Sequence, residues 1–185
     1  MILVYLLALA VAVGYLRGGR LKGYLQKPLR GVVWPVAGFL IESSFAWLPR
    51  VVPGPPLRWL WLAVAVEYLC LFVFLFLNRD ERALRLAALG TAANLAAMAA
   101  NQMRMPVSPT IFDFPSLAGF VERVQSGELI EYVLVGWDAP LWWLGDTIPI
   151  PCGVPGVASV GDFLMGAVLV DTADDAAQGL KKPTS

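Results

Sequence analysis

The chain has 185 residues, of which 58% are hydrophobic, and its mean hydropathy is +0.66. This is more apolar surface than a soluble domain of this size can bury. Its 14 basic residues balance its 14 acidic residues, so no excess of positive charge favours nucleic acid as a partner. Histidine is absent, which removes the commonest transition-metal ligand and the usual axial ligand of haem. We therefore expect neither a metal ion nor a cofactor.

Long apolar segments separated by turns predict an all-α membrane bundle with about five transmembrane helices. The first apolar segment precedes its basic residues, which is the reverse of a cleavable signal peptide, so we expect it to remain as a helix. Prolines between residues 49 and 56 predict a tight reversal between the second and third spans. The predicted spans cover residues 1–16, 31–48, 57–77, 83–100 and 156–170, and together they form a single domain, residues 1–170.

The basic residues predict the orientation of this bundle. Five Lys or Arg residues follow the first span, two follow the second and three follow the third. By the positive-inside rule, the first and third loops face the cytoplasm. We therefore predict a multi-pass protein of the bacterial cytoplasmic membrane, with its N-terminus outside and a flexible cytoplasmic tail, residues 171–185.

The segment 101–155 then falls on the outer side of the membrane. It mixes polar turns with aromatic stretches, and tryptophan favours the boundary between membrane and water. We expect an amphipathic helix near Ser116 to Gln125 and a helical or re-entrant piece near Leu129 to Leu144, both at the outer leaflet. A sixth crossing is the competing topology.

Polar side chains inside the predicted spans indicate a site, because an ionisable group at membrane depth needs a partner, a cavity or water. Helix rise places the acids of three different spans roughly 9 to 14 Å from the outer ends of their helices. A polar pocket that opens outward is therefore predicted, with Arg104 pairing with an acid at its mouth. The alternative is that these groups are neutral cross-braces between helices. The predicted pocket residues are Glu42, Glu67, Asn94, Asn101, Arg104, Asp146 and Asp162.

Two Gly-Asp segments, Gly145-Asp146 and Gly161-Asp162, lie sixteen residues apart on either side of a loop rich in proline and glycine. Two carboxyls brought together share a proton and can act as a general acid–base pair, so Asp146 and Asp162 are candidate catalytic residues. The alternative is that Asp146 caps a turn and Asp162 caps the start of the last span.

Four segments resemble a family of small bacterial membrane proteins known as a domain of unknown function. They are residues 16–21 (Leu-Arg-Gly-Gly-Arg-Leu), Asn101 with residues 104–108, residues 143–149 and residues 159–162. Members of that family commonly carry glycines before the arginine of the second segment, whereas this chain has Gln102 and Met103. The resemblance implies the topology and the importance of these segments, and it implies no activity.

The last Gly-Asp segment is also faintly similar to the second aspartate region of lipoprotein signal peptidases, although the asparagine-and-aspartate segment of those enzymes has no counterpart here. After the first span, Arg17, Arg20 and Lys22 are candidates for contact with anionic lipid headgroups. The alternative is that these charges only fix the topology.

Three functions are compatible with these features. The first is a non-enzymatic component, either an accessory subunit of a membrane assembly or a lipid-binding module, with membrane lipids, other membrane subunits or a second copy of the chain as partners. The second is an intramembrane hydrolase or lipid-modifying enzyme that uses Asp146 and Asp162. The third is a small proton- or cation-coupled transporter that uses Glu42 and Glu67.

Overall fold

The computed structural model describes residues 29–51, 57–150 and 155–166. The first predicted span, the basic residues Arg17, Arg20 and Lys22, and the predicted tail lie outside these residues. The described chain begins with three long helices, α1 (Val33–Val51), α2 (Leu57–Leu77) and α3 (Arg82–Ala100). They occupy the residues of the second, third and fourth predicted spans.

Helices α1 and α2 pack closely along their length, and Gly38 permits the approach. A Cβ added at Gly38 would lie 3.2 Å from the Cβ of Cys70 and 3.3 Å from the Cα of Glu67, which is tighter than most contacts in folded proteins. At the end of α2 the buried side chain of Asn78 accepts from the main-chain N–H of Arg30 and donates to its carbonyl, both at 2.8 Å. This clasp fixes the start of α1 beside the end of α2.

A small mixed sheet follows the helices. Its strands are β1 (Met105–Val107), β2 (Tyr132–Leu134), β3 (Asp146–Ile150) and β4 (Gly156–Ser159), in the order β2-β1-β3-β4. Strand β1 is parallel to both β2 and β3, while β3 and β4 are antiparallel. Helix α4 (Ala118–Gln125) and 3₁₀ turns at Pro109–Asp113, Pro115–Leu117 and Trp142–Leu144 complete this part.

Two apolar clusters hold these layers together. Val107, Ile111 and Leu117 form the core of the sheet part, against which Phe120 and Tyr132 pack in an edge-to-face pair with ring centroids 5.3 Å apart. The second cluster joins the sheet part to the helices. Its buried members Leu60, Val64 and Met98 come from α2 and α3, and its partly buried members are Tyr68, Met103, Met105 and Ile130.

The prediction of an all-α bundle with five spans is wrong. The described residues contain a four-stranded mixed sheet, and within them one helix, Arg58–Leu77, is long and apolar enough to cross a membrane. The apolar parts of α1 and α3, Val33–Phe45 and Leu84–Ala100, are shorter. The predicted fifth span begins as strand β4 and continues as a helix, α5, over residues 160–166.

The segment near Leu129 to Leu144 is likewise not one helical piece. It holds β2, a loop and a 3₁₀ turn, because its apolar residues satisfy their main-chain groups across the sheet. The main-chain N–H of Met105 donates to the carbonyl of Glu131 at 2.8 Å, and that of Val135 donates to the carbonyl of Val107 at 3.1 Å. Helix α4, by contrast, lies within the range where the amphipathic helix was predicted.

Candidate functional site

A network of polar side chains joins α3 to the junction between β4 and α5. The hydroxyl of Ser159 donates to Oδ1 of Asn94 at 2.8 Å, and Nδ2 of Asn94 donates to Oδ1 of Asp162 at 3.0 Å. Ser159 and Asn94 are both buried, with 0% and 3% of their surfaces exposed. Each polar group of this triangle therefore has a partner from a distant part of the chain.

Ser159 and Asp162 also bond to each other reciprocally at the start of α5. The main-chain N–H of Asp162 donates to the Ser159 hydroxyl, and the main-chain N–H of Ser159 donates to Oδ2 of Asp162, both at 3.0 Å. This is the arrangement of a capping box, in which side chains satisfy the free N–H groups at the first turn of a helix. Both oxygens of Asp162 are thus engaged, one by Asn94 and one by Ser159.

Two glycines allow α3 and α5 to come this close. A Cβ added at Gly90 would collide with the carbonyl oxygen of Gly161 and would lie 3.1 Å from the Cβ of Leu164. A Cβ added at Gly161 would collide with Oδ1 of Asn94 and would lie 2.6 Å from the Gly90 carbonyl oxygen. The network therefore depends on direct backbone contact at this crossing.

Asp146 lies beside this network at the start of β3, where it pairs with Ser159 on β4 and Val107 on β1. Its surface is 4% exposed, and its Oδ1 has no hydrogen-bond partner in the described part of the chain. Burial raises the pKa of the Asp146 carboxyl well above its usual range, and the nearby charge of Asp162 raises it further. Burial therefore favours the protonated form of Asp146.

Asp146 and Asp162 lie within electrostatic reach of each other, but their environments differ. Both oxygens of Asp162 accept hydrogen bonds, whereas Oδ1 of Asp146 is buried without a partner among the described residues. The side chain of Asp146 is shielded from solvent, and both oxygens of Asp162 are occupied. Chemically, the arrangement serves best as a brace.

The model of the family of unknown function DUF5317 matches residues 26–170. The chain belongs to this family. The resemblance to a family of unknown function, predicted from sequence motifs, is thereby confirmed. No curated protein and no solved structure matches the chain.

Three of the four motif segments fall within the part matched by DUF5317, and each builds the sheet or its network. Residues 104–108 contain β1, residues 143–149 lead into β3, and residues 159–162 form the capping box. Between α3 and β1, Gln102 and Met103 have φ angles of 59° and 55°. These are left-handed values that favour glycine, which explains why glycines suit these positions in the resemblance noted above.

In this DUF5317 chain, Asn101 and Arg104 hold main-chain carbonyls. Asn101 donates to the carbonyls of Ala97 and Pro140, both at 2.8 Å. Nε of Arg104 donates to the carbonyl of Ile130 at 2.8 Å, and its Nη2 donates to that of Tyr132. Sequence analysis predicted an acid as the partner of Arg104. The hydrogen bonds described for Arg104 go to carbonyls, and an acid, Glu131, lies within electrostatic reach of it.

The remaining predicted residues, Glu42 and Glu67, lie on α1 and α2. Each of the two side chains is half-buried. The two carboxyls are within electrostatic reach of each other, and Glu42 is also within electrostatic reach of Glu131. Burial raises the pKa of Glu131, although Arg123 and Arg104 oppose the shift. Tyr132 lies within electrostatic reach of both sets of acids. Whether the two glutamates and the aspartate network share one pocket stays a prediction. No three acids or cysteines among the described residues are placed to hold a metal.

Sequence analysis gave Ser159 no role beyond its place in the segment 159–162, and it missed Asn78 and Glu131. The spacing Ser159-x-x-Asp162 is a recognisable capping signal, so Ser159 was open to prediction once a helix start was placed there. The partners of Asn78 and Glu131 lie far away along the chain, and nothing in the local sequence indicates them.

Proposed function

We propose that this chain is a non-enzymatic component of a bacterial membrane assembly. Helices α1, α2 and α3 lie in the bilayer, and the mixed sheet forms a compact part at one membrane boundary. Its role is that of an accessory or structural subunit that contacts lipid and another membrane helix.

The surface of α2 carries this proposal. Only 28% of its 18-residue apolar window is buried, whereas the core helix of a soluble protein is mostly buried. Large apolar side chains point outward along it, including Leu62 at 55%, Leu69 at 63% and Phe76 at 64% exposure. Such a surface is far more stable against lipid or another apolar helix than against water.

The surface of α3 favours a helical partner. Ala92, Ala99 and Ala100 are exposed on it, and small residues permit the close approach by which helices associate in membranes. A second copy of this chain or a different membrane subunit would fit this face.

The aspartate network supports a structural role. One oxygen of Asp162 accepts from Asn94 and the other accepts within the capping box. Asp146 is buried at the start of β3. These bonds tie α5 to α3 and leave no acid free at an open surface of the network.

Purification from the native membrane tests the proposal. During an alkaline wash we expect the chain to remain with the membranes. After extraction in a mild detergent we expect it to co-purify stoichiometrically with another membrane subunit or a second copy. Ala92→Trp on the exposed face of α3 should displace that partner, while Gln125→Trp on α4 should leave it bound. A consistently solitary monomer, or release by the alkaline wash, would contradict the proposal.

A second candidate is an aspartate-dependent hydrolase or lipid-modifying enzyme, favoured by the unpartnered Oδ1 of Asp146 beside Asp162. Lipid products formed by the reconstituted wild-type protein, and lost equally in Asp146→Asn and Asp162→Asn, would support it.

The transporter hypothesis rests on the proximity of Glu42 and Glu67. Ion-coupled uptake that is unchanged in Glu67→Gln would exclude Glu67 as the coupling site.

A further inference from the structure

The segment 136–145, here called the tryptophan loop, presents aromatic rings on the surface of the sheet part. Trp137 and Trp143 are 57% and 55% exposed. Trp137 packs edge-to-face on Trp142 with ring centroids 4.8 Å apart and planes at 87°. Two indole rings thus face outward while the third supports one of them.

This loop is fixed at one end of α3. The side chain of Asn101, which ends α3, donates to the carbonyl of Pro140 and to that of Ala97, both at 2.8 Å. The turn Trp142–Leu144 also packs against α3. The exposed rings are therefore held near the level at which the helix ends.

The length of α3 indicates the depth of the tryptophan loop in the membrane. The apolar part of α3, Leu84–Ala100, spans about 25 Å, near the lower end of the lengths that cross the roughly 30 Å hydrocarbon core of a bilayer. If α3 crosses the membrane, as the proposed function holds, its end lies at a boundary between hydrocarbon and headgroups. Tryptophan is enriched at this depth because its ring is apolar and its N–H needs a polar partner.

The charges around the loop decide which lipid it suits. Residues 126–166 contain no lysine or arginine, while an exposed acid, Asp138, lies within the loop itself. The acids of this stretch are Glu128, Glu131, Asp138, Asp146 and Asp162. A basic patch attracts anionic headgroups, whereas the tryptophan loop has no basic residue and one exposed acid, Asp138.

We infer that the tryptophan loop is a lipid-binding surface, which places its indole rings among the headgroups of a zwitterionic leaflet at the end of α3. This inference rests on the proposed membrane insertion of α1, α2 and α3 and adds a defined lipid contact to it. The rings are held by the protein before they meet lipid, so little conformational freedom is lost on contact.

Site-specific labelling of the full chain in vesicles tests the inference. In a Cys70→Ala, Cys152→Ser background, an environment-sensitive fluorophore is attached at Asp138→Cys, which keeps all three tryptophans of the loop. Glu122→Cys on α4 is the matched control, since it also replaces an exposed acid. Leu69→Cys on the exposed face of α2 reports separately on insertion, through quenching by a lipid that carries its nitroxide near the end of the acyl chain.

In phosphatidylcholine vesicles we expect the label at residue 138 to shift its emission to shorter wavelength and to be quenched by a lipid with a nitroxide near its headgroup. The label at residue 122 should show neither effect. Trp137→Ser together with Trp143→Ser should abolish the quenching at residue 138, and adding anionic phosphatidylglycerol should not increase it.

The outcomes separate the inference from the proposed function. Quenching at residue 69 without quenching at residue 138 overturns the lipid-binding loop and leaves membrane insertion intact. Absence of quenching at residue 69 overturns the proposed function. Equal quenching at residues 138 and 122, or quenching at 138 that appears only with anionic lipid, overturns the inference about this loop.

Discussion

Asp146 couples the stability of the fold to pH. Its folded pKa is raised, so the folded chain keeps the proton to higher pH than the unfolded chain, in which the carboxyl titrates near 3.8. The stability that this proton contributes is fully present below pH 3.8 and is lost as pH rises through the folded pKa. Asp146→Asn removes the titration but keeps the shape of the side chain.

We therefore expect the unfolding free energy of Asp146→Asn to vary less with pH than that of the wild type above pH 3.8. Thermal unfolding in detergent across a pH series measures this difference. Asp138→Asn, the same chemical change at an exposed acid, should keep the wild-type slope. Parallel curves for the wild type and Asp146→Asn would show that Asp146 is not held neutral by the fold.

Asn94 is the residue on which the polar network depends, since it both donates to Asp162 and accepts from Ser159. Asn94→Ala leaves the buried Ser159 hydroxyl without this acceptor, so we expect a loss of about 1–3 kcal/mol in unfolding free energy. Ser44→Ala is the control, because Ser44 is exposed and bonds only to Leu40 within its own helix among the described residues. That change should cost less than about 0.5 kcal/mol. Equal effects of the two substitutions would contradict the bracing role of Asn94.

At the scale of elements, the crossing of α3 and α5 depends on Gly90. Gly90→Ala places a methyl group against the Gly161 carbonyl, so the helices must separate and the bonds of Asn94 must lengthen. We expect a loss of about 1–3 kcal/mol, measured by thermal unfolding. Gly119→Ala on α4 is the matched control, because its new Cβ would have no heavy atom of the described chain within 4 Å. It should be neutral or stabilising by up to about 1 kcal/mol. A destabilised Gly119→Ala with an unaffected Gly90→Ala would reverse this account.

The helices were open to prediction because long apolar runs end at prolines or at charged residues. Strand β1 was not, since it has only three residues and one of them is Pro106, which usually argues against a central strand. Its partner β2 lies 27 residues further along, with Met105 opposite Tyr132, and no local pattern encodes so distant a pairing. The apolar residues of β2 therefore suggested a helix, because short apolar runs do not distinguish the two.

The same distinction applies to the site. Both Gly-Asp segments were found because the repeat is local, and Asp162 was weighed as a helix cap from its position before an apolar run. The carbonyl partners of Arg104 were not found, because the strand pairing that presents Ile130 and Tyr132 had itself been missed. Whether the predicted pocket residues act together in function stays a prediction.

At the scale of the whole molecule, the described chain combines apolar helices with a sheet part that has a separate hydrophobic core. The cluster of Leu60, Val64 and Met98 joins the two through Met105 and Ile130. The outward face of α2 is left uncovered by this arrangement. Its exposure is consistent with a bilayer around the helices and the sheet part at their end.

A charge placed on that face tests the whole arrangement. Leu69 is 63% exposed and lies near the middle of α2, so Leu69→Arg would put a cation at depth in the membrane. The cost at a helix centre is about 2.5–3.5 kcal/mol, and we expect a clear fall in the fraction of protein retained in alkaline-washed membranes. Phe112→Arg is the control, because Phe112 is 50% exposed on the sheet part and should stay in water. Retention of Leu69→Arg equal to that of Phe112→Arg would mean that the exposed face of α2 does not meet lipid.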